Sequence, residues 1–210
     1  MRLFITFEGI EGCGKSTQAR ALARRLSRRG FSVLTVKEPG STDVGRVARR
    51  LLKQKLEMEI DPVTELLLFE VARARLVTEV IRPALEEGRI VICDRYAESS
   101  VAYQGYGRGI QVENVRMMND FATGGLKADL VILPDLDVEE GLRRKGEGII
   151  NDRFEREEAE FHRRVRQGYL EMAANEPERW FVVDASLPSK QVGKLLWEKV
   201  CSHLAEAETK

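Results

Sequence analysis

The run Gly9-Ile10-Glu11-Gly12-Cys13-Gly14-Lys15-Ser16, followed by Thr17, fits GxxxxGK[ST]. Residues of these types at this spacing suit one task, holding the phosphates of a nucleoside triphosphate. Glycines let the backbone curl so that successive N–H groups point at phosphate oxygens. The helix that follows adds its N-terminal dipole, Lys15 reaches the β and γ phosphates, and the Ser16 hydroxyl can ligate Mg²⁺. A second constellation is Cys93-Asp94-Arg95-Tyr96. Asp94, at the carboxyl end of an apolar run, can organise Mg²⁺ or accept a hydrogen bond from the attacking oxygen. Arg95 can clamp a transferring phosphate. Arg49, Arg73 and Arg108 fall where they could face the same cleft. Phe69 lies one helical turn before Arg73, which suits either a stacked base beside a guanidinium or an ordinary core position.

These residues need a scaffold, and the chain alternates β-rich runs with helical patterns, the signature of βαβ units and a parallel sheet. Strands are predicted at Leu3–Phe7, Phe31–Val36, Arg89–Cys93, Leu130–Leu133 and Trp180–Val183. The P-loop thus follows a strand and precedes a helix, in which Ala19, Leu22, Ala23 and Leu26 recur at helical spacing until Gly30. Val44–Leu52 and Val112–Ala122 read as helices. Asp61-Pro62 is a start signal for a long helix that Pro83 should kink or end. Glu155–Ala174 and Pro188–Glu206 read as long amphipathic helices. Arg143–Arg153, basic and glycine-containing, reads either as a solvated loop or as a flap closing over phosphates. His162 and His203 read as surface helix positions without metal-ligand spacing.

Composition narrows the function classes. With 34 basic and 34 acidic side chains the formal charge is zero, so nothing draws the whole molecule to nucleic acid or membrane. Three cysteines without CxxC spacing fit a reducing compartment, and Cys93 reads as a small core residue. The amino terminus is unlike a signal peptide, and no apolar segment approaches the roughly 20 residues of a membrane span. A cytoplasmic location is expected. No guanine-reading N/T-K-x-D stretch is present, which argues against a GTPase.

Five ordered blocks resemble the thymidylate kinase family: FEGIEGCGKST, KEPGSTDVG, LLLFEVARAR, CDRYAESSVAYQGYGRG and DRFE, the last followed by FHRRVRQGYLEMA. The resemblance covers nearly the whole chain. It implies an α/β P-loop kinase fold, a five-stranded parallel sheet flanked by helices, in a single domain with a small mobile lid at about 143–154. It also implies the reaction ATP + dTMP → ADP + dTDP, dependence on Mg²⁺, and a homodimer. By motif, Phe69 would stack on thymine, and Arg73 would bond the base edge or a nearby phosphate. Ser100 and Gln104 would complete base recognition, and Tyr103 would crowd the sugar 2′ position. Glu38 would sit near the acceptor, while Arg49 and Arg95 would hold its phosphate beside Asp94 and Lys15.

Members differ in where the transition-state arginine resides. Here the P-loop carries none, while the 143–153 segment offers Arg143, Arg144 and Arg153, as in the bacterial type. The resemblance points to Arg153 or Arg144 without ranking them. Lys37 stands where arginine is usual, Ser41 where glycine is usual, and Pro134 where an aliphatic residue is usual. Pro134 should therefore lie at a strand edge or terminus. Another nucleoside monophosphate or deoxynucleoside kinase is the alternative reading, followed by a non-catalytic P-loop switch.

Overall fold

The computed structural model describes residues 2–53, 60–145, 154 and 157–208. Five parallel strands form one sheet in the order β2-β3-β1-β4-β5: β1 Leu3–Phe7, β2 Val33–Lys37, β3 Ile90–Asp94, β4 Leu130–Asp135 and β5 Trp180–Asp184. Parallel neighbours demand crossovers, and helices supply them on both faces. Alternation sorts each strand's residues between two cores. Leu3, Ile5 and Phe7 of β1 join Leu22 and Leu26 of α1 (Lys15–Arg28) and Leu196 and Val200 of α9 (Ser189–Glu208). Phe4 points the other way, with Val91, Cys93 and Val131. Cys93 is buried, as read from sequence.

The remaining helices are α2 (Asp43–Lys53), α3 (Pro62–Leu76), α4 (Arg82–Glu86), α5 (Ala97–Ser100), α6 (Val112–Thr123), α7 (Val138–Lys145) and α8 (Ala159–Asn175). Asp61 caps α3 by accepting from Val63 N at 2.9 Å and Thr64 N at 3.0 Å. Pro83 neither ends this helix nor acts alone. A π-helical stretch, Val77–Ile81, precedes it, with the Arg82 N–H reaching back to the Val77 carbonyl. The wider turn accommodates a proline that lacks a donor and would crowd the carbonyl four residues earlier. A second π-helical stretch, Val101–Gly107, follows α5.

Several boundaries move by a residue or two. The second and third strands start at Val33 and Ile90, later than expected, and reach Lys37 and Asp94, because strand pairing sets their ends. The fourth strand runs on through Pro134, opposite Val183. Glu8 N donates to Ile132 O and Val131 N to Arg179 O, so alternation turns position 134 towards β1, which has already ended. Pro134 therefore lacks its N–H where no ladder partner waits. Arg143–Lys145 belong to α7 rather than to a loop, and 146–153 lie outside the described residues, as do Glu155 and Arg156. His162 is not a surface residue. At 1% exposure it sits on the inner face of α8, and burial holds its pKa below the ordinary value.

Candidate active site

Phe7 pairs with Asp94 in register, so the loop after β1 emerges beside the end of β3, at the carboxyl edge where ligands bind in open α/β sheets. Gly9, Gly12 and Gly14 hold φ of 128°, 75° and 86°, conformations that side chains resist. The first turn of α1 contains no acidic residue, so its N-terminal dipole is uncompensated on the loop side. Lys15, 6% exposed, donates to Ile10 O at 2.9 Å and lies 3.9 Å from a Glu11 carboxylate oxygen. The Ser16 hydroxyl donates to Asp94 Oδ2. One hydroxyl and one carboxylate converging in this way are hard oxygen ligands, a donor set that fits Mg²⁺ completed by phosphate oxygens.

Arg95 takes φ of 73°, unusual for a non-glycine residue, at a strain of about 1–3 kcal/mol. Its Nη2 donates to Glu11 Oε1 at 2.7 Å and to Tyr103 OH at 2.9 Å. Its Nη1 donates to Ser99 Oγ and to Tyr169 OH, each at 3.2 Å. Burial disfavours a charged Glu11, but Lys15, Arg95 and Lys145 overcome that and hold its carboxyl well below the usual range. The Lys145 ammonium, at the end of α7, lies 3.7 Å from Glu11.

A cavity of about 300 Å³ opens between these groups, lined on the P-loop side by Glu11, Lys15, Ser16 and Asp94 and on the other by Glu38, Arg49, Phe69, Arg95, Ser100, Tyr103 and Gln104. Arg49 donates to Pro39 O at 3.1 Å, across the Glu38-Pro39-Gly40 turn. Ser41 closes that turn from within, its Oγ accepting from Lys37 N at 2.8 Å and donating to Lys37 O at 3.0 Å. Gln104 Nε2 donates to buried Glu65 at 2.7 Å, which engages one of its two amide protons and fixes the carbonyl oxygen on the opposite side as an acceptor. The π-helical turn carries both Tyr103 and Gln104 to the cavity wall.

Three arginines expected at the cleft do not line the cavity. Arg73, 1% exposed, does not line the cavity. Its guanidinium meets Glu38 at 2.6 Å, Glu70 at 2.6 Å, Ser100 Oγ at 2.9 Å and Asn119. Burial raises the Glu38 pKa to about 7 against the opposing pull of Arg73. Arg144 donates to Glu140 at 2.7 Å and to Ala185 O at 2.9 Å, away from the cavity lining. Arg108 is likewise outside the lining, bound to Glu65 and Glu157. Arg153 lies outside the described residues.

A family model for thymidylate kinase matches residues 7–196. A thymidylate kinase from Dehalococcoides mccartyi is 50% identical over 200 residues, covering 95% of this chain and 96% of that one. The chain belongs to the thymidylate kinase family. A relative of that name from Trichormus variabilis is 47% identical over 205 residues, covering 97% of each chain. The crystal structure of thymidylate kinase from Ehrlichia chaffeensis superposes with a TM-score of 0.77 at 32% identity, covering 96% of this chain and 98% of that one.

The structure also brings to the site residues to which sequence reasoning gave no role there. Arg20 and Lys37 line the cavity, as do Ser99 and Phe154. Arg20 was within reach of inspection, since it follows Ser16 by one helical turn. Phe154 belongs to the DRFE block and lies 6.0 Å from Phe69 and 5.9 Å from Tyr103, ring centre to ring centre. Glu8, 0% exposed, had no signal beyond its place ahead of Gly9.

Proposed function

We propose that this chain transfers the γ-phosphoryl group of ATP to dTMP, giving ADP and dTDP, in the manner its family membership indicates. The observation that carries the reading is one cavity with a triphosphate-binding loop on one side and an arginine-flanked, aromatic-walled pocket on the other. The P-loop amides, Lys15 and the start of α1 bind the donor phosphates. Arg49 and Arg95 bind the acceptor phosphate and aim its oxygen at the γ phosphorus. That oxygen is already anionic near neutrality, so positioning and charge neutralisation carry the catalysis. Ser16 and Asp94 are the residues that would hold Mg²⁺, which when bound neutralises charge on the phosphate oxygens. Residues 143–154 act as the lid of this single domain, excluding water that would otherwise accept the phosphoryl group.

Phe69 and Phe154 provide an apolar wall for the base. The carbonyl of Gln104, with its amide donor held by Glu65, accepts from a ring N–H. Thymine offers that donor at N3, whereas cytosine presents an acceptor there, so the same atom selects against CMP. The Tyr103 ring, fixed by Arg95, crowds the sugar 2′ side. A coupled ADP-release assay across nucleoside monophosphates should give dTMP the highest kcat/KM. A clear preference for CMP, or turnover of unphosphorylated deoxynucleosides alone, would contradict the assignment.

The active form is a homodimer. Val63, Leu67 and Val71 recur every fourth residue on α3 and are 54%, 46% and 51% exposed. Helix α3 packs between α2 and α6, and these add exposed Leu51 and Phe121, the latter 91% exposed. A contiguous apolar face of this kind calls for a partner, and two-fold pairing with a second copy closes it on itself.

A further inference from the structure

The segment that carries the P-loop also holds the acceptor-side arginine. Glu8, immediately before Gly9, is fully buried. Its Oε1 accepts from Tyr96 N at 2.7 Å, the amide that follows Arg95. Its Oε2 accepts from Ser99 Oγ at 2.5 Å and from Tyr169 OH at 3.1 Å. The same two hydroxyls receive Arg95 Nη1. We propose that Glu8 is a positioning residue for the acceptor phosphate, fixing both the left-handed backbone and the guanidinium direction of Arg95 through Tyr96, Ser99 and Tyr169.

The argument is one of proton accounting. A hydroxyl has a single proton and two lone pairs. With Glu8 ionised, the Ser99 and Tyr169 protons both turn to Oε2, and their lone pairs face Arg95 Nη1. The guanidinium then has both Nη1 donors satisfied from behind, and its Nη2 edge turned to Glu11 and Tyr103. A phosphate oxygen displacing Glu11 meets donors already aligned. With Glu8 protonated, its own O–H must occupy a hydroxyl lone pair and competes with Arg95 for it. The neighbours set the balance. Burial and the charge of Glu98 on α5 raise Glu8 to about 8, while Ser99, Arg95 and Tyr96 N–H oppose the rise. Cys93 on β3 and Tyr169 on α8 also face it, and burial holds both neutral.

This inference rests on Arg95 holding the acceptor phosphate, and the variants separate the two ideas. Measured above the Glu8 value, at pH ~9, Glu8→Gln should raise the KM for dTMP about tenfold or more, the worth of one charge-assisted hydrogen bond, and leave the KM for ATP within about twofold. In the native enzyme kcat/KM for dTMP should rise with pH through a limb near the Glu8 value, and that limb should vanish in Glu8→Gln. Glu8→Asp should restore part of the affinity. Ser99→Ala and Tyr169→Phe, which leave the carboxylate in place, should each weaken dTMP binding. Either one combined with Glu8→Gln should cost less than the product of the separate effects. Equal losses for both substrates with the limb retained, or full multiplicativity in the double variants, would overturn the proposal. Arg95→Ala with an unchanged dTMP KM would instead overturn the underlying assignment of Arg95.

Discussion

Gly12 and Gly141 offer the sharpest test of how the P-loop is held in shape. Helix α7 approaches the loop so closely that a Cβ on Gly141 would lie 2.6 Å from the Glu11 carbonyl oxygen and 3.3 Å from Ile10 Cδ1. The isoleucine tip can turn aside, but the carbonyl belongs to the loop's backbone. A carbon–oxygen contact needs about 3.3 Å, so Gly141→Ala must open about 0.7 Å between α7 and the loop. Overpacking of this kind costs about 1–3 kcal/mol, and the gain of alanine over glycine inside a helix offsets about 1 kcal/mol. The net loss of stability is therefore small, a fall in Tm of less than roughly 8 °C for a chain of this size. Catalysis is less tolerant, because a 1 Å misplacement of positioning groups costs on the order of a hundredfold. Steady-state ATP titration at saturating dTMP should show kcat/KM for ATP reduced about ten- to a hundredfold. Gly193→Ala is the control, since its Cβ would meet only the end of the Gln18 side chain at 3.2 Å. It should stay within about twofold of the native enzyme. Native kinetics in Gly141→Ala, with a normal Tm, would refute the reasoning that this glycine pair sets the loop's position.

Three further outcomes follow from the same geometry. Lys15→Ala should keep the fold and melting behaviour while lowering kcat by about a thousandfold or more, measured by coupled ADP release, because Lys15 is the P-loop cation that reaches the β and γ phosphates. If the proposed pairing holds, light scattering during size-exclusion chromatography should give a two-chain mass that Phe121→Asp or Leu67→Glu halves; a one-chain mass for the native protein would contradict the pairing. Glu8 and Glu38, raised to about 8 and about 7, bind more protons folded than unfolded, so their contribution to stability is largest at low pH and is lost as pH rises from the usual carboxylate range through those values. Urea denaturation of Glu8→Gln against the native chain should therefore favour the variant more at pH ~8.5 than at pH ~5.5, and a difference independent of pH would contradict the burial argument.

Much of this molecule is legible in its sequence, and the limits have physical causes. The P-loop could be read because its glycines serve backbone geometry that other residues adopt only under strain, and α3 because Asp61 and Pro62 act locally. Strand ends were less secure because pairing with neighbours, rather than local propensity, decides whether Lys37, Asp94 and Pro134 join the ladder. Arg73 illustrates a harder limit. The resemblance implies a contact to the base edge or a nearby phosphate, yet Glu38, Asn119 and Ser100 converge on it from three other segments, beside Glu70 one turn away on its own helix. No periodicity announces such a meeting. His162 was misplaced for a related reason, since a single polar residue on an amphipathic helix does not reveal which face the tertiary fold covers. The π-helical turns at Val77–Ile81 and Val101–Gly107 carry no signature distinct from α-helix, though one of them aims Tyr103 and Gln104.

A crystal structure of the enzyme with dTMP and a non-hydrolysable ATP analogue addresses the central claim most directly. The account predicts the triphosphate wrapped by residues 9–17 with Lys15 on its terminal phosphates. It also predicts the dTMP phosphate between Arg49 and Arg95, and thymine against Phe69 with its N3–H on Gln104. A dTMP phosphate bound away from both arginines, or a triphosphate that bypasses the glycine loop, would contradict it.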